Sequence, residues 1–415
     1  MTPSLASDAA VPQRDLLLDP SVVVARLGNV FGCTIDDCRR VRVKYRIGAR
    51  LRVVYRLRLG ASSVDVSAST FPTMERSRQA YEAAVQRSVG VGITAPVAHD
   101  PELATVFWAF PNDRKLSHLP ALVEPDPALV ALHPAWSRSV PAAYAPEKSA
   151  TVACLDESGR TVAYAKTYAG EEGGRAARVH ALLTEALPAD DPYLRVPRSV
   201  AYSPRLRTLV VEAVEGATLL GARADDLRSR YRRLGKGLAR LHGLPPPDEV
   251  RFRRADPDRV AAAAGLIGSV RADVAASVRQ LAEEISGRLE PDGDPVCLHG
   301  DVNFRNALLE DGRVALIDLD QVASGPAAAE LGSVLASLRY AGVVGLLPDV
   351  AVPALCTALL AGYAELRALP HEAALRTHTS AALLTERCLR VVTRVRPEGL
   401  RRLPALVAEA REVLG

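Results

Sequence analysis

The chain has 415 residues and a mass of 44.3 kDa, enough for two or three compact units with ample core. Hydrophobic residues make up 48% and charged residues 24%, and no run of 18 apolar residues occurs, so composition excludes a membrane-spanning helix. The formal net charge of +4 argues neither for nor against nucleic acid, but no long basic run offers a phosphate track, and neither a nucleic-acid nor a membrane partner is expected.

The amino-terminal stretch MTPSLASDAAVPQRD has no apolar core of signal-peptide length, so a cytoplasmic chain is expected. Residues 1 to about 15 read as a loose tail. Six cysteines (Cys33, Cys38, Cys154, Cys297, Cys356 and Cys388) are scattered, and none has the neighbours a zinc site needs. Lysine is rare. Only Lys44, Lys115, Lys148, Lys166 and Lys236 occur among 52 basic residues, so each lysine placement is informative.

Residues 16–31 suggest a short helix. From 38 to 71 the pattern alternates apolar and Arg, with a turn near Ile47–Gly48, which predicts a hairpin and a third strand with one buried face. A helix is predicted over 74–88 and a strand over 104–110. A second β-rich segment opens near 139. Its Tyr144-Ala-Pro-Glu-Lys-Ser-Ala-Thr-Val run matches Tyr45-Arg-Ile-Gly-Ala-Arg-Leu-Arg-Val in spacing, which suggests a diverged internal repeat. A hairpin turning at Ser158–Gly159, a helix over 171–187, and strands near 198–203 and 207–214 follow.

Lys166 ends a predicted strand, where an ammonium can hold phosphate oxygens. A glutamate on the next helix is its expected partner, and Glu171, Glu172 and Glu185 qualify, with Glu185 after an apolar pair. The run LVVEAVEGATL over 209–219 reads as a connector whose backbone near Glu212 and Val214 could meet a purine edge. No G-x-G-x-x-G loop precedes Lys166; a Glu147–Lys148–Ser149 turn stands in its place.

From 225 the chain turns helical, first with LRSRYRRLGKGLARLHGL and then over 257–289. Between these helices and a last helical run over 327–415 lies CLHGDVNFRNALLEDGRVALIDLDQ, residues 297–321. His299, Gly300 and Asp301 open it, and Asn306 follows on the same loop. A turn at Glu310, Asp311 and Gly312 leads into a short strand ending on Asp318. An Asp and an Asn on one loop, with an Asp closing the next hairpin, are the acidic parts of a phosphoryl-transfer site. Asp301 would orient an acceptor hydroxyl and take its proton. Asn306 and Asp318 would offer the hard oxygens that Mg2+ prefers.

These residues carry a resemblance. HGDVNFRN, IDLD, the helix RLGKGLARLHGL and the connector EAVEGATL resemble the aminoglycoside phosphotransferase and choline-kinase-like superfamily over about 140–415. The resemblance implies an α+β, protein-kinase-like two-lobed fold, ATP with Mg2+, and a small-molecule acceptor. It makes Asp301 the catalytic base, with His299 supporting its loop. It makes Asn306, Asp318 and Asp320 metal ligands, Lys166 the phosphate ligand, and Glu185, Glu212 and Val214 further parts of the nucleotide site. Glu330 departs from it, standing where the family carries an Asp that braces the catalytic loop.

The expected organisation is a β-rich cap over 1–135, similar to that of maltokinase-like sugar kinases, an N-lobe over 136–215 and a helical C-lobe over 216–415. The cap is expected to pack on the N-lobe, to present Arg46, Arg50, Arg52, Arg56 and Arg58 as a basic surface, and to supply no catalytic residue. Arg387, Arg390 and Arg394 share a helical face by spacing. Eight acidic residues and ten arginines over 321–415 argue against a polycationic acceptor. A sugar or amino-sugar hydroxyl is the expected acceptor. Antibiotic modification, phosphorylation of a peptide Ser or Thr, and a non-catalytic kinase-like scaffold are the alternatives. The sequence leaves the oligomeric state open.

Overall fold

The computed structural model describes residues 5–219, 224–247, 256–289, 294–310 and 312–415; Asp311 of the expected turn lies outside them. The amino-terminal body holds helices α1 (Arg14–Leu18) and α2 (Pro20–Phe31), strands β1 (Asp37–Arg46), β2 (Arg50–Leu59) and β3 (Ser62–Thr70), helix α3 (Met74–Val85), and strands β4 (Val97–Asp100) and β5 (Thr105–Ala109). Local chemistry sets its punctuation. Asp19 caps α2 by accepting from Ser21 N at 2.9 Å, Pro20 opens the first turn, and Gly32 at φ 62° closes it.

The expected tail is not loose over its described part. Leu5 and Val11 are buried, and the Arg14 side chain is almost fully enclosed. Arg14 Nη1 donates to Ala6 O at 2.7 Å and Tyr45 Oη at 3.2 Å, and Nη2 to Leu5 O at 3.2 Å. The guanidinium ties the tail to β1, because a buried charge is tolerated only with its donors engaged. Asp8 Oδ2 adds a second tie by accepting from Tyr45 Oη at 2.5 Å and Gly48 N at 2.9 Å.

Helices α4 (Leu119–Val123) and α5 (Pro127–Val130) lead into the second body. It holds strands β6 (Arg138–Ala145), β7 (Ser149–Leu155) and β8 (Thr161–Tyr168), helix α6 (Glu172–Ala186), and strands β9 (Leu194–Arg195), β10 (Ser199–Ser203) and β11 (Thr208–Glu212). Leu119, Leu122, Leu129 and Trp136 share a core with Val152, Ala163, Ala165 and Val210, so packing joins α4 and α5 to this lobe although they precede residue 135.

The first two sheets have the same topology. Their orders are β1-β2-β3-β5-β4 and β6-β7-β8-β11-β10, each with a helix between its third and fourth strands. The turns agree as well. Gly48 and Glu147 both have positive φ, as do Ala104 and Arg207. Phe71 N donates to Ala104 O as Tyr168 N donates to Arg207 O, and Thr105 and Thr208 each close the same two-residue hydroxyl turn at 2.8 Å. The spacing match between Tyr45 and Tyr144 is thus a structural repeat. By strand register Ser69 of the cap takes the place that Lys166 holds in the second copy.

The third body is helical, with α7 (Ala224–Leu241), α8 (Pro257–Val270), α9 (Ala275–Ser286), α10 (Ala327–Val343), α11 (Val352–Ala364), α12 (Glu372–Ala382), α13 (Leu389–Thr393), α14 (Pro397–Arg401) and α15 (Leu403–Leu414). Strand β12 (Ala217–Thr218) pairs with β14 (Ala307–Glu310), which pairs with β15 (Arg313–Leu316); β13 (Val296–Leu298) pairs with β16 (Ala323–Gly325). The α+β, two-lobed architecture with an extra β-rich cap is present. No described helix is long and apolar enough to cross a membrane.

The cap does not sit on the N-lobe alone. One apolar cluster joins Leu17, Val43 and Leu57 of the cap to Val260, Val278, Leu383 and Leu406 of the C-lobe. Arg394 Nη1 donates to Val43 O at 3.1 Å and Ala6 N to Val270 O at 2.9 Å. Its N-lobe contact sets the Phe110 ring edge-on to Tyr144 at 5.2 Å and adds polar links. Arg42 Nη1 donates to Tyr144 O at 3.2 Å, Arg52 Nη1 to Pro146 O at 2.6 Å, and Tyr144 Oη to Asp113 Oδ2 at 2.7 Å. Of the five arginines expected at the surface, Arg46, Arg56 and Arg58 are exposed. Arg50 and Arg52 turn inward to the buried Glu147 at 3.2 and 3.6 Å, where a lone carboxylate would be costly.

Candidate active site

The two lobes and the cap enclose one cleft of about 1460 Å³, and Lys166, Asp301, Asn306, Asp318 and Asp320 all line it. The catalytic-type loop is built from its backbone outward. Gly300 has φ 77°, and a methyl group there would overlap the carbonyl of Gln321, so only glycine fits. His299 Nδ1 accepts from Asp301 N at 3.3 Å, which leaves Nε2–H to donate to Ile317 O at 2.9 Å. One imidazole therefore fixes the loop to the end of β15. Asn306 Nδ2 and Asn303 Nδ2 donate to Asp301 O at 3.0 and 2.9 Å. Donating through its nitrogen leaves the Asn306 side-chain oxygen as the group able to ligate a cation.

Glu330 braces this loop despite the extra methylene. Its Oε1 accepts from Gly300 N at 2.7 Å, and its Oε2 accepts from His299 N at 3.0 Å and contacts His242 Nε2 at 3.1 Å. His242 Nδ1 meets Tyr363 Oη at 3.0 Å. Burial pushes the Glu330 carboxyl up, but the His242 and loop-amide hydrogen bonds outweigh it and hold it below the ordinary value. His242 was not singled out in the sequence. Its place after α7, in the helix RLGKGLARLHGL, was the available signal.

Lys166 comes from β8 on the opposite lobe. Its Nζ lies 2.6 Å from Asp318 Oδ1 and 2.7 Å from Asp320 Oδ2. The Asp320 Oδ1 accepts from Tyr168 Oη at 2.8 Å. Both Asp320 oxygens are therefore engaged with β8, which fits a brace for Lys166 better than the expected metal ligand. Asp318 sits at φ 63°, strained backbone that turns its carboxylate into the cleft. Burial raises the Asp318 pKa, and the Lys166 charge and hydrogen bond more than reverse that, so it stays below the usual carboxylate range.

The expected Lys166–Glu185 pair does not form. Glu185 is exposed on α6, while the α6 residue lining the cleft is the buried His180. Its Nδ1 lies 2.7 Å from Pro197 O; burial lowers its pKa, favouring neutral imidazole. Glu172 is exposed, and Glu171 lies 3.5 Å from Arg207. Glu212 lines the cleft, but its side chain is held by Arg195 at 3.1 Å and Arg198 at 3.0 Å, and its N–H donates to Arg198 O. Val214 also lines the cleft, and among the described residues its backbone N–H and C=O have no backbone partner.

No group of three His, Cys, Asp or Glu side chains among the described residues could hold a metal alone. The donor set is instead one carboxylate, Asp318, with one amide oxygen, Asn306. That suits Mg2+, which keeps waters and phosphate oxygens in most of its positions. The turn over Glu147–Lys148–Ser149 replaces a glycine loop. Glu147 N donates to Asp113 Oδ2 at 3.0 Å and its Oε1 accepts from Ser69 Oγ at 3.2 Å, so the cap holds the loop while Lys148 lines the cleft.

Beside Asp301, Arg390 Nη2 stands 3.5 Å from Asp301 Oδ1, and Arg42, Arg305, Arg394 and Arg396 also line the cleft. Arg387, expected on the face of Arg390 and Arg394, turns inward and donates to Ser333 O at 3.2 Å. A π-helical stretch over Leu383–Cys388 intervenes, and its wider turn shifts the face that follows.

Residues 148–369 match the model of the APH phosphotransferase enzyme family. No curated protein matches the chain significantly. Among solved structures it is similar to an aminoglycoside phosphotransferase from Streptomyces rimosus, at 21% identity, covering 60% of this chain and 92% of that one with a TM-score of 0.43. A choline/ethanolamine kinase family protein from Mesorhizobium loti matches at 14% identity, covering 71% and 92% with a TM-score of 0.48. A hygromycin B- and ADP-bound aminoglycoside phosphotransferase matches at 14%, covering 70% and 98% with a TM-score of 0.49.

Proposed function

This chain belongs to the APH phosphotransferase enzyme family, and from that premise we propose that it transfers the terminal phosphoryl group of ATP, with Mg2+, to a hydroxyl of a small molecule, a sugar or amino sugar. The observation that carries the reading is the convergence of Lys166 with Asp318 at 2.6 Å across the cleft, with Asp301 and Asn306 on the adjoining loop.

Asp301 accepts the proton of the acceptor hydroxyl as its oxygen bonds to phosphorus and the bond from phosphorus to the bridging oxygen breaks. Lys166 and Lys148 offset charge on the phosphate oxygens. Asn306 and Asp318 would hold the Mg2+, which when bound neutralises phosphate charge. The Val214 backbone would orient the purine. His299, Gly300 and Glu330 keep the Asp301 loop in place. A non-catalytic scaffold draws support from the missing glycine loop and from Glu330, but Glu330 braces both loop amides and the Lys148 turn is anchored.

The test is ATP consumption by the full chain against sugars, amino sugars, aminoglycosides and choline. Asp301→Asn should remove turnover and leave MgATP binding within about threefold. Wild-type turnover in that variant would refute the base assignment. Transfer to a peptide Ser or Thr alone would refute the small-molecule acceptor.

A further inference from the structure

We propose that the acceptor carries an anionic group, a phosphate or carboxylate, gripped between Arg42 of the cap and Arg394 and Arg396 of the C-lobe. This rests on Asp301 as the base, since that residue marks where the acceptor lies. Arg390 reaches Asp301 at 3.5 Å, so the arginine wall begins beside the reacting hydroxyl.

The first support is unmatched charge. Several cap arginines meet carboxylates: Arg56 meets Asp65 at 2.7 Å, and Arg50 and Arg52 meet Glu147. On this wall, among the described residues, no carboxylate lies within ion-pair reach of Arg42, Arg305, Arg394 or Arg396. Arg42 spends one N–H on Tyr144 O, Arg394 one on Val43 O at 3.1 Å, and Arg396 one on Tyr340 Oη at 3.4 Å. A guanidinium has five donors, so most remain uncommitted. The one carboxylate on the cap face of the cleft, Asp65, is taken by Arg56.

The second support is crowding of like charge. Burial, then the charges of Arg42, Arg390 and Arg396, pushes Arg394 down to about 10. Burial and Arg305 lower Arg42 as well. Cations held together without counter-charge cost stability, which a bound anion would offset. Planar guanidinium forks suit carboxylate and phosphate oxygens in pairs. A cleft of about 1460 Å³ exceeds the 300–1,000 Å³ typical of single-ligand pockets, so it has room for a nucleotide and a second ligand. Because Arg42 comes from β1, the cap completes the acceptor site, although it was expected to supply no catalytic residue.

The full chain, saturated with MgADP so that the nucleotide site is filled, is titrated at low salt with glucose 6-phosphate, glucuronate, glucose and glucosamine. One or both anions should bind at least tenfold tighter than glucose, and glucosamine no better than glucose. Glucose 6-phosphate against glucuronate separates phosphate from carboxylate. Arg42→Gln and Arg394→Gln should each weaken the preferred anion about tenfold and shift the MgADP Kd less than twofold. Equal binding of all four sugars, or preference for glucosamine, would overturn the proposal without variants. An equal loss of MgADP affinity would assign the arginines to the nucleotide and overturn it too. Wild-type protein that binds no MgADP would sink the phosphotransferase reading itself, an outcome distinct from MgADP binding without anion preference.

Discussion

Lys166 and Asp320 meet across the cleft at 2.7 Å, and the same carboxylate holds Tyr168 of the lysine's own strand. On the proposed function the contact with Asp318 would give way to Mg2+, whereas the contact with Asp320 would persist when nucleotide binds. Asp320 would then do for Lys166 what a helix glutamate was expected to do.

Asp320→Asn should raise the KM for ATP about tenfold, equivalent to ~1.4 kcal/mol. The Mg2+ concentration for half-activation should stay unchanged. A kinetic titration of both reads the two roles apart, since loss of a metal ligand would shift the Mg2+ requirement first.

Gly300→Ala should lower kcat at least a hundredfold and destabilise the fold by about 2–4 kcal/mol. Positive φ and the Gln321 carbonyl leave no room for a methyl group, and relief requires moving the Asp301 loop. Denaturant unfolding and steady-state kinetics on one preparation check both.

Glu330→Gln should cost about 2–4 kcal/mol, because an amide cannot accept from two backbone N–H groups and His242 as a carboxylate does. The Glu330 pKa lies below its unfolded value of 4.5. Its contribution is therefore present above pH 4.5 and is lost as pH falls through the lower folded value. Wild type and variant should converge in stability as pH drops below 4.5.

Burial, with Arg52 and Arg394 nearby, pushes Lys44 down to about 8. The folded state sheds this proton more readily than the unfolded state. The cost is present below pH 8 and vanishes between about pH 8 and the unfolded value of 10.5. Lys44→Met should raise the Tm at pH 7 and leave it unchanged near pH 10.5. Competitive acetylation should show Lys44 half-reactive near pH 8.

The sequence disclosed what lies close along the chain. Asp301, Asn306 and Asp318 fall within one loop and hairpin, and the period-two runs around Tyr45 and Tyr144 mark their strands directly. What it hid depends on distant contacts. Val43 and Arg394 join across most of the chain and leave no local pattern, so the cap's attachment to the C-lobe was illegible. The inward turn of Arg387 follows from a π-helical stretch that simple helical spacing does not anticipate. Asp320 displaced Glu185 as the lysine's partner because β8 faces the end of β15, a relationship that only tertiary structure sets.

Glu147 buries its carboxylate against Arg50 and Arg52, while Arg394 binds β1 of the cap. Each lobe is thus fastened to the same third body, and the cap, N-lobe and C-lobe close a ring of contacts. A hinge inside a ring cannot swing widely without releasing a link. Exchange of ligands should then proceed through small breathing motions at the cleft mouth, and the rate of product escape becomes a property of the cap. A shared apolar core also couples melting of cap and C-lobe, so calorimetry should record one cooperative transition for these two bodies where separate modules would give two.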